Sequence, residues 1–85
     1  MDTELPDVSA IRWQCRRGML ELDIILLSFF DERYKTLSVP QQKAFVQLLE
    51  FPDQELYQWV IGRSEPSDPM LQSIIEFMRQ AAWKE

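Results

Sequence analysis

The chain has 85 residues, with 9 basic and 14 acidic side chains, a formal net charge of -5 and no histidine. This length suits a single domain, and the lack of histidine excludes Ser–His and Cys–His catalytic pairs as well as imidazole metal ligands. The single cysteine excludes an intramolecular disulfide and a cysteine-rich zinc site, and it is typical of proteins in a reducing compartment.

Three further features narrow the class of protein. The longest apolar run, residues 24–27, is far shorter than the ~20 residues that span a bilayer, and residues 1–7 are acidic rather than a cleavable leader. The acidic balance argues against a nucleic-acid partner, because nucleic-acid binders present basic faces to phosphates. We therefore expect a cytoplasmic binding protein rather than an enzyme. We also expect a single domain over residues 1–85, with a flexible N-terminus over residues 1–6 and no membrane insertion.

The first half of the chain is predicted to form two helices joined at Gly18. Helix 1 covers residues 7–17, with Asp7 as its N-cap, and its spacing buries Val8, Ile11 and Cys15. Helix 2 covers residues 19–33, is the most apolar and is predicted to be central. Its buried face combines large apolar groups with one arginine: Met19, Leu22, Leu26, Phe29, Phe30 and Arg33.

The second half is predicted to form three more amphipathic helices. Ser38 and Gln41 form a capping box that opens helix 3, Pro52-Asp53 caps helix 4, Gly62 ends helix 4, and Asp68 or Ser67 caps helix 5. The buried stripes are Ala44, Phe45, Leu48 and Leu49, then Leu56, Trp59 and Val60, then Leu71, Ile74, Ile75, Met78 and Ala82. No segment alternates as a strand does, so we predict an all-α bundle of five short helices.

A local basic stretch stands out in this acidic chain. Arg12, Arg16 and Arg17 fall within residues 8–20, which contain no acidic residue. One interpretation is a basic patch for a partner. The other is favourable placement of Arg16 and Arg17 near a helix C-terminus, where they complement the helix dipole.

A second candidate site surrounds Gly18. Trp13, Arg17 and Glu21 are predicted to point away from the apolar faces, so a tight turn brings them into one exposed patch. Tryptophan and arginine are enriched among the residues that anchor interfaces, and glycine permits close backbone approach. The alternative is that Trp13 packs on a neighbouring helix while Arg17 pairs with Glu21.

Two other polar groups need an interpretation. Asp23 falls on the apolar face of helix 2, where an unpaired carboxylate is costly, so we expect a half-buried acceptor for backbone N–H groups or an arginine. A catalytic carboxylate is the alternative, although no second carboxylate is aimed at it. Cys15 lies on an apolar stripe and is interpreted as a small core residue rather than a reactive thiol.

The segment around Gly18 resembles a known family signature. Residues 17–21, Arg-Gly-Met-Leu-Glu, are similar to the Arg-Gly-x-x-Glu signature of the succinate dehydrogenase flavinylation factors, the SdhE-type FAD assembly factors. The resemblance covers most of the chain. It extends to Ile11-Arg12-Trp13, Cys15-Arg16, Leu22-Asp23, Phe29-Phe30, Leu48-Leu49-Glu50, Asp53, Leu56 and Trp59.

The resemblance implies a five-helix monomer that binds the flavoprotein subunit of succinate dehydrogenase, and in some bacteria that of fumarate reductase. Such factors promote covalent attachment of FAD to a histidine of the client, so FAD is the client's cofactor and this chain is expected to hold none stably. The partner-contacting residues it implies are Arg17, Gly18 and Glu21, with Trp13, Arg16 and Met19 beside them. The chain resembles the bacterial members, and the alternative function is an antitoxin-like protein that binds a small toxin.

Overall fold

Five α-helices and one 3-10 helix form the part of the chain that the computed structural model describes, residues 7–82 without the side chain of Ala82. The helices are α1 (Val8–Gln14), α2 (Leu20–Arg33), α3 (Val39–Leu48), α4 (Asp53–Val60) and α5 (Pro69–Ala82), and the 3-10 helix (Tyr34–Thr36) directly follows α2. These residues contain no strand, so the predicted all-α, five-helix fold is confirmed. The predicted flexible N-terminus and the inward side chain of Ala82 lie outside the described residues.

Side-chain caps fix three of the helix starts as predicted. Asp7 accepts a hydrogen bond from the amide of Ser9 at 3.3 Å and opens α1. Ser38 and Gln41 bond each other's backbone amides at 3.3 and 2.9 Å, which completes the capping box of α3. Asp68 accepts from the amide of Met70 at 2.8 Å, so it is Asp68 rather than Ser67 that holds the first turn of α5. These bonds satisfy amides that have no partner within the helix.

The start of α4 differs from the prediction. Pro52 occupies the N-cap position and makes no side-chain cap, and Asp53 is the first helical residue. The expectation that Pro52-Asp53 caps α4 therefore holds for Pro52 as the N-cap residue but not for a side-chain cap from Asp53, whose carboxylate binds Arg17. At the other end of α4, Gly62 adopts a φ of +87° and ends the helix as predicted.

The apolar core joins all five helices. The predicted stripes of α3 and α4, and that of α5 as far as Met78, are buried, and α2 buries Leu22, Leu26, Phe29 and Phe30. Phe29 contacts Phe45 and Phe77 with ring centroids 5.6 Å apart in both pairs. Helix α5 packs against α2, α3 and α4, while α2 packs against α4, α5 and the 3-10 helix. The predicted central position of α2 is therefore shared with α5.

Helix α1 is shorter than predicted, and this changes which residues it buries. The amides of Cys15 and Arg16 bond the carbonyl oxygens three residues earlier, at 3.0 and 3.1 Å, which tightens the chain and ends the helix at Gln14. Ile11 and Cys15 are buried, but Val8 is 50% exposed, so its predicted place in the core is wrong. Met19 and Arg33, expected in the buried face of α2, are only half-buried because they lie at the two ends of that face.

Candidate functional site

The turn between α1 and α2, residues 15–19, lies where the sequence predicted a site. Gly18 has a φ of +86°, a left-handed conformation that side chains with a Cβ atom adopt at a cost. A Cβ built at Gly18 would meet no atom within 4 Å, so space above the backbone is open. Gly18 therefore serves the turn rather than ending α1, which stops at Gln14.

The carboxylate of Asp23 stabilises this turn by hydrogen bonds with its backbone amides. Its Oδ1 accepts a hydrogen bond from the amide of Arg17 at 2.7 Å, and its Oδ2 accepts from the amide of Gly18 at 3.2 Å. Asp23 is half-buried in the first turn of α2. The expected acceptor role is confirmed. The catalytic alternative loses its support, because backbone amides occupy both carboxylate oxygens.

The side chain of Arg17 is turned inward and only 14% of it is exposed. Its Nε donates to Oδ1 of Asp53 at 2.8 Å, and its Nη1 donates to the carbonyl oxygens of Gln14 at 3.0 Å and Leu49 at 2.7 Å. Its Nη2 donates to the carbonyl oxygen of Phe51 at 2.8 Å. One guanidinium therefore links the end of α1 to the end of α3 and the start of α4.

This position corrects two expectations for Arg17. It does not share an exposed patch with Trp13 and Glu21, and it does not pair with Glu21 either. The physical reason is that α1 ends before Arg17, so helical periodicity no longer sets the direction of its side chain. Two of the three carbonyl oxygens that it binds lie 32 and 34 residues away in sequence, at Leu49 and Phe51.

Trp13 is the most accessible aromatic side chain near the turn, with 69% of its surface exposed. It does not pack on a neighbouring helix, as the alternative interpretation required. The guanidinium of Arg16 lies 5.7 Å from the centre of its indole ring, within the range of a cation–π contact. Trp13 and Arg16 therefore form an exposed aromatic and cationic pair.

The basic stretch is less basic than its sequence indicates. Arg12 forms a two-bond ion pair with Asp31, at 3.0 Å from Nε and 2.9 Å from Nη2. The hydrogen bond and the opposite charge lower the pKa of Asp31 and raise that of Arg12. Since Arg17 is paired with Asp53, Arg16 is the cation of this stretch that no carboxylate of the described residues binds.

Glu21 lies on the exposed side of α2, as predicted, and has a partner that sequence analysis missed. The hydroxyl of Tyr57 donates a hydrogen bond to its Oε1 at 2.8 Å. This hydrogen bond and the negative charge of Glu21 raise the pKa of the Tyr57 phenol. Met19 and Tyr57 also border an open concavity of about 420 Å³, which Gln54, Glu55 and Gln58 of α4 line as well.

Apolar surface extends the site on α2. Leu20 is 75% exposed directly before Glu21, and Ile24 follows one turn later, also exposed. Two large, exposed apolar side chains in one turn of α2 are more typical of a surface that contacts another protein than of one that faces only solvent. Together, the described groups offer an aromatic ring, a cation, apolar side chains and a carboxylate to a partner.

Two structural findings bear on other kinds of site. Among the described residues, no cluster of three or more cysteine, aspartate or glutamate side chains could hold a metal ion. Within the same residues, no helix is long and apolar enough to cross a membrane.

Comparisons with known proteins give one consistent result. Residues 9–82 match a family described as flavinator of succinate dehydrogenase. The chain is 44% identical over 70 residues to an FAD assembly factor SdhE of Coxiella burnetii, covering 82% of this chain and 85% of the relative. It is 40% identical over 79 residues to the protein of that name in Shewanella oneidensis, covering 93% and 96%. A solution structure of a UPF0350 protein has a TM-score of 0.74 and 36% identity, and covers 87% of this chain and 79% of that one.

Proposed function

Because the chain belongs to the family of succinate dehydrogenase flavinators, which includes bacterial FAD assembly factors, we propose that it binds the flavoprotein subunit of succinate dehydrogenase. In this proposal it promotes the covalent attachment of FAD to that subunit. The bond forms between the flavin and a histidine of the client, and this chain, which has no histidine, contributes contacts alone.

The observation that carries the proposal is the exposed surface around the α1–α2 turn. It includes Trp13 with Arg16 stacked on it, the open backbone at Gly18, the apolar Leu20 and the carboxylate of Glu21. Exposed tryptophan and arginine at the centre of a patch are typical of the few residues that carry most of the binding energy. Free space above Gly18 lets a client segment approach the backbone closely.

The factor is proposed to act by differential binding. If it binds the attachment-competent conformation of the client more tightly than the incompetent one, it shifts the population by the difference in binding free energy. A difference of about 1.4 kcal/mol changes the ratio tenfold. The factor has to leave after attachment, so a contact of moderate size suits this role better than an obligate interface.

The proposal is tested by removing exposed contact groups that lie outside the apolar core. We expect Trp13→Ala and Glu21→Ala to keep the helical circular dichroism of the wild type. In cells that lack the native factor, both variants should fail to restore covalent flavin in the flavoprotein subunit, measured by fluorescence after denaturing electrophoresis. Both should also fail to co-purify with that subunit.

A matched control uses Glu76, an exposed glutamate of α5. Glu76→Ala removes the same charge and the same side-chain length as Glu21→Ala, so it should restore flavin attachment fully. Full covalent flavin in cells that carry Trp13→Ala and in cells that carry Glu21→Ala would overturn the proposed contact surface.

A further inference from the structure

Both charged groups of the Arg-Gly-x-x-Glu signature are held by one turn of α4. Asp53 binds the guanidinium of Arg17 at 2.8 Å, and Tyr57 donates its hydroxyl to Glu21 at 2.8 Å. Asp53 and Tyr57 are four residues apart in α4, so they lie on the same side of the helix. The four-residue spacing of Asp53 and Tyr57 in α4 therefore determines where Arg17 and Glu21 make these contacts.

Helix α4, which makes these two contacts, is itself anchored in the bundle. The adjoining face of α4 buries Leu56, Trp59 and Val60 in the core. Its C-terminal end is tied to α5, because Arg79 donates from Nε and Nη2 to the carbonyl oxygen of Trp59. The side of α4 that carries Asp53 and Tyr57 is therefore anchored by the rest of the bundle.

We propose that Asp53 and Tyr57 are positioning residues, which hold the α1–α2 turn and the carboxylate of Glu21 in the arrangement that binds the client. The inference rests on the proposed function and deepens it. Glu21 is an exposed side chain whose several rotamers have to be reduced to one on binding. A hydrogen bond made before binding lowers that cost and so raises affinity without any new contact to the client.

The two positioning residues act on different parts of the signature. Asp53 restrains Arg17, which is inward-facing and whose backbone amide is bound by Asp23. Tyr57 restrains the outward-facing Glu21 and borders the concavity beside Met19. The phenol, whose pKa lies above its ordinary value, stays protonated at neutral pH and remains a donor.

The first test is Tyr57→Phe, which removes one oxygen and keeps the ring. We expect the affinity of the purified factor for the purified flavoprotein subunit, measured by calorimetry, to fall about three- to tenfold. The matched control is Tyr34→Phe, since the Tyr34 hydroxyl is buried and has no hydrogen-bond partner among the described residues. Tyr34→Phe should bind the subunit as the wild type does. Equal affinity of Tyr57→Phe and Tyr34→Phe would contradict the inference.

A second measurement separates positioning from a loss of packing. In the free factor, Tyr57→Phe should increase the rotamer averaging of the Glu21 side chain, measured by NMR scalar couplings, while Tyr34→Phe leaves it unchanged. Unchanged averaging of Glu21 in Tyr57→Phe also overturns the role assigned to Tyr57.

Asp53 is tested by Asp53→Asn, with Glu76→Gln as the control for loss of one exposed negative charge. Asp53→Asn should weaken client binding and loosen the amides of Arg17 and Gly18 in hydrogen exchange, and Glu76→Gln should do neither. If Asp53→Asn leaves both readouts unchanged, Asp53 is not a positioning residue. Failure of the wild-type factor to bind the subunit would instead overturn the proposed function itself, so the two failures are distinguishable.

Discussion

Arg79 donates two hydrogen bonds to the backbone carbonyl oxygen of Trp59, from Nε at 2.9 Å and from Nη2 at 2.6 Å. The same guanidinium pairs with Glu65 at 3.1 Å, in the loop between α4 and α5. The same oxygen accepts a hydrogen bond from the amide of Gly62 at 3.1 Å, just beyond the end of α4, so Arg79 adds positively charged donors at a helix C-terminus, where positive charge is favourable. This contact also fixes the helix that carries Asp53 and Tyr57.

Loss of this guanidinium should destabilise the whole bundle. We expect Arg79→Ala to lower the free energy of unfolding in urea by about 2 kcal/mol, because charge-assisted hydrogen bonds to half-buried carbonyl oxygens are lost. Lys43→Ala, a cation removed from the exposed side of α3, is the control and should change stability little. If the two variants are equally stable, the hydrogen bonds of Arg79 do not stabilise the bundle.

The two glycines allow backbone strain to be separated from partner contact. Gly18 and Gly62 have φ values of +86° and +87°, and both have open space around a built Cβ. Gly18→Ala and Gly62→Ala should therefore each lower the free energy of unfolding by a similar amount, about 1–2 kcal/mol. Gly18→Ala alone should weaken binding to the flavoprotein subunit, since it adds a methyl group at the proposed contact surface. Equal binding by the two variants would argue against close approach at Gly18.

Asp23 should be the main restraint on the backbone of the turn. Asn has one acceptor oxygen where the carboxylate has two, so Asp23→Asn leaves either the Arg17 or the Gly18 amide facing an NH₂ group. We expect a loss of about 1–2 kcal/mol in unfolding free energy and faster hydrogen exchange at these two amides. Unchanged exchange at both amides would contradict the assigned role.

Cys15 should make stability depend on pH in the alkaline range. The thiol is fully buried, and burial raises its pKa to about 12, against about 8.5 in an unfolded chain. Above about pH 8.5 the unfolded chain releases this proton while the folded chain keeps it, so the thiol's contribution to stability is intact below that pH and is lost progressively up to about pH 12. The measurement is the difference in unfolding free energy between wild type and Cys15→Ala. That difference should shrink from about pH 7 to about pH 10, and a constant difference would contradict the prediction.

Local patterns predicted much of this fold. The capping box of Ser38 and Gln41 and the buried stripes of α3, α4 and α5 follow from spacing alone, because caps and helical periodicity involve residues three or four apart. The acceptor role of Asp23 was also predictable, because a carboxylate on an apolar face needs donors nearby. Its donors are amides of the preceding turn, five and six residues earlier in the chain.

The site was less predictable, because its contacts are long-range. Arg17 and Glu21 each find their partners 36 residues away, at Asp53 and Tyr57, and no local pattern in the sequence encodes that pairing. The direction of Arg17 also depends on α1 ending at Gln14, and helix ends are the least certain part of a prediction from sequence. The four-residue spacing of Asp53 and Tyr57 indicates their contacts with the signature only when the signature is already known to pack against α4.

The inward position of Arg17 changes how genetic data on the signature should be interpreted. An allele that replaces Arg17 removes a tie between α1, α3 and α4, so its phenotype reports protein abundance as well as client recognition. Such an allele should be temperature-sensitive and open to suppression by unrelated stabilising substitutions. An allele at the outward-facing Glu21 should give a normal protein level and resist such suppressors. A null phenotype at the signature therefore marks the interface only where the side chain faces outward.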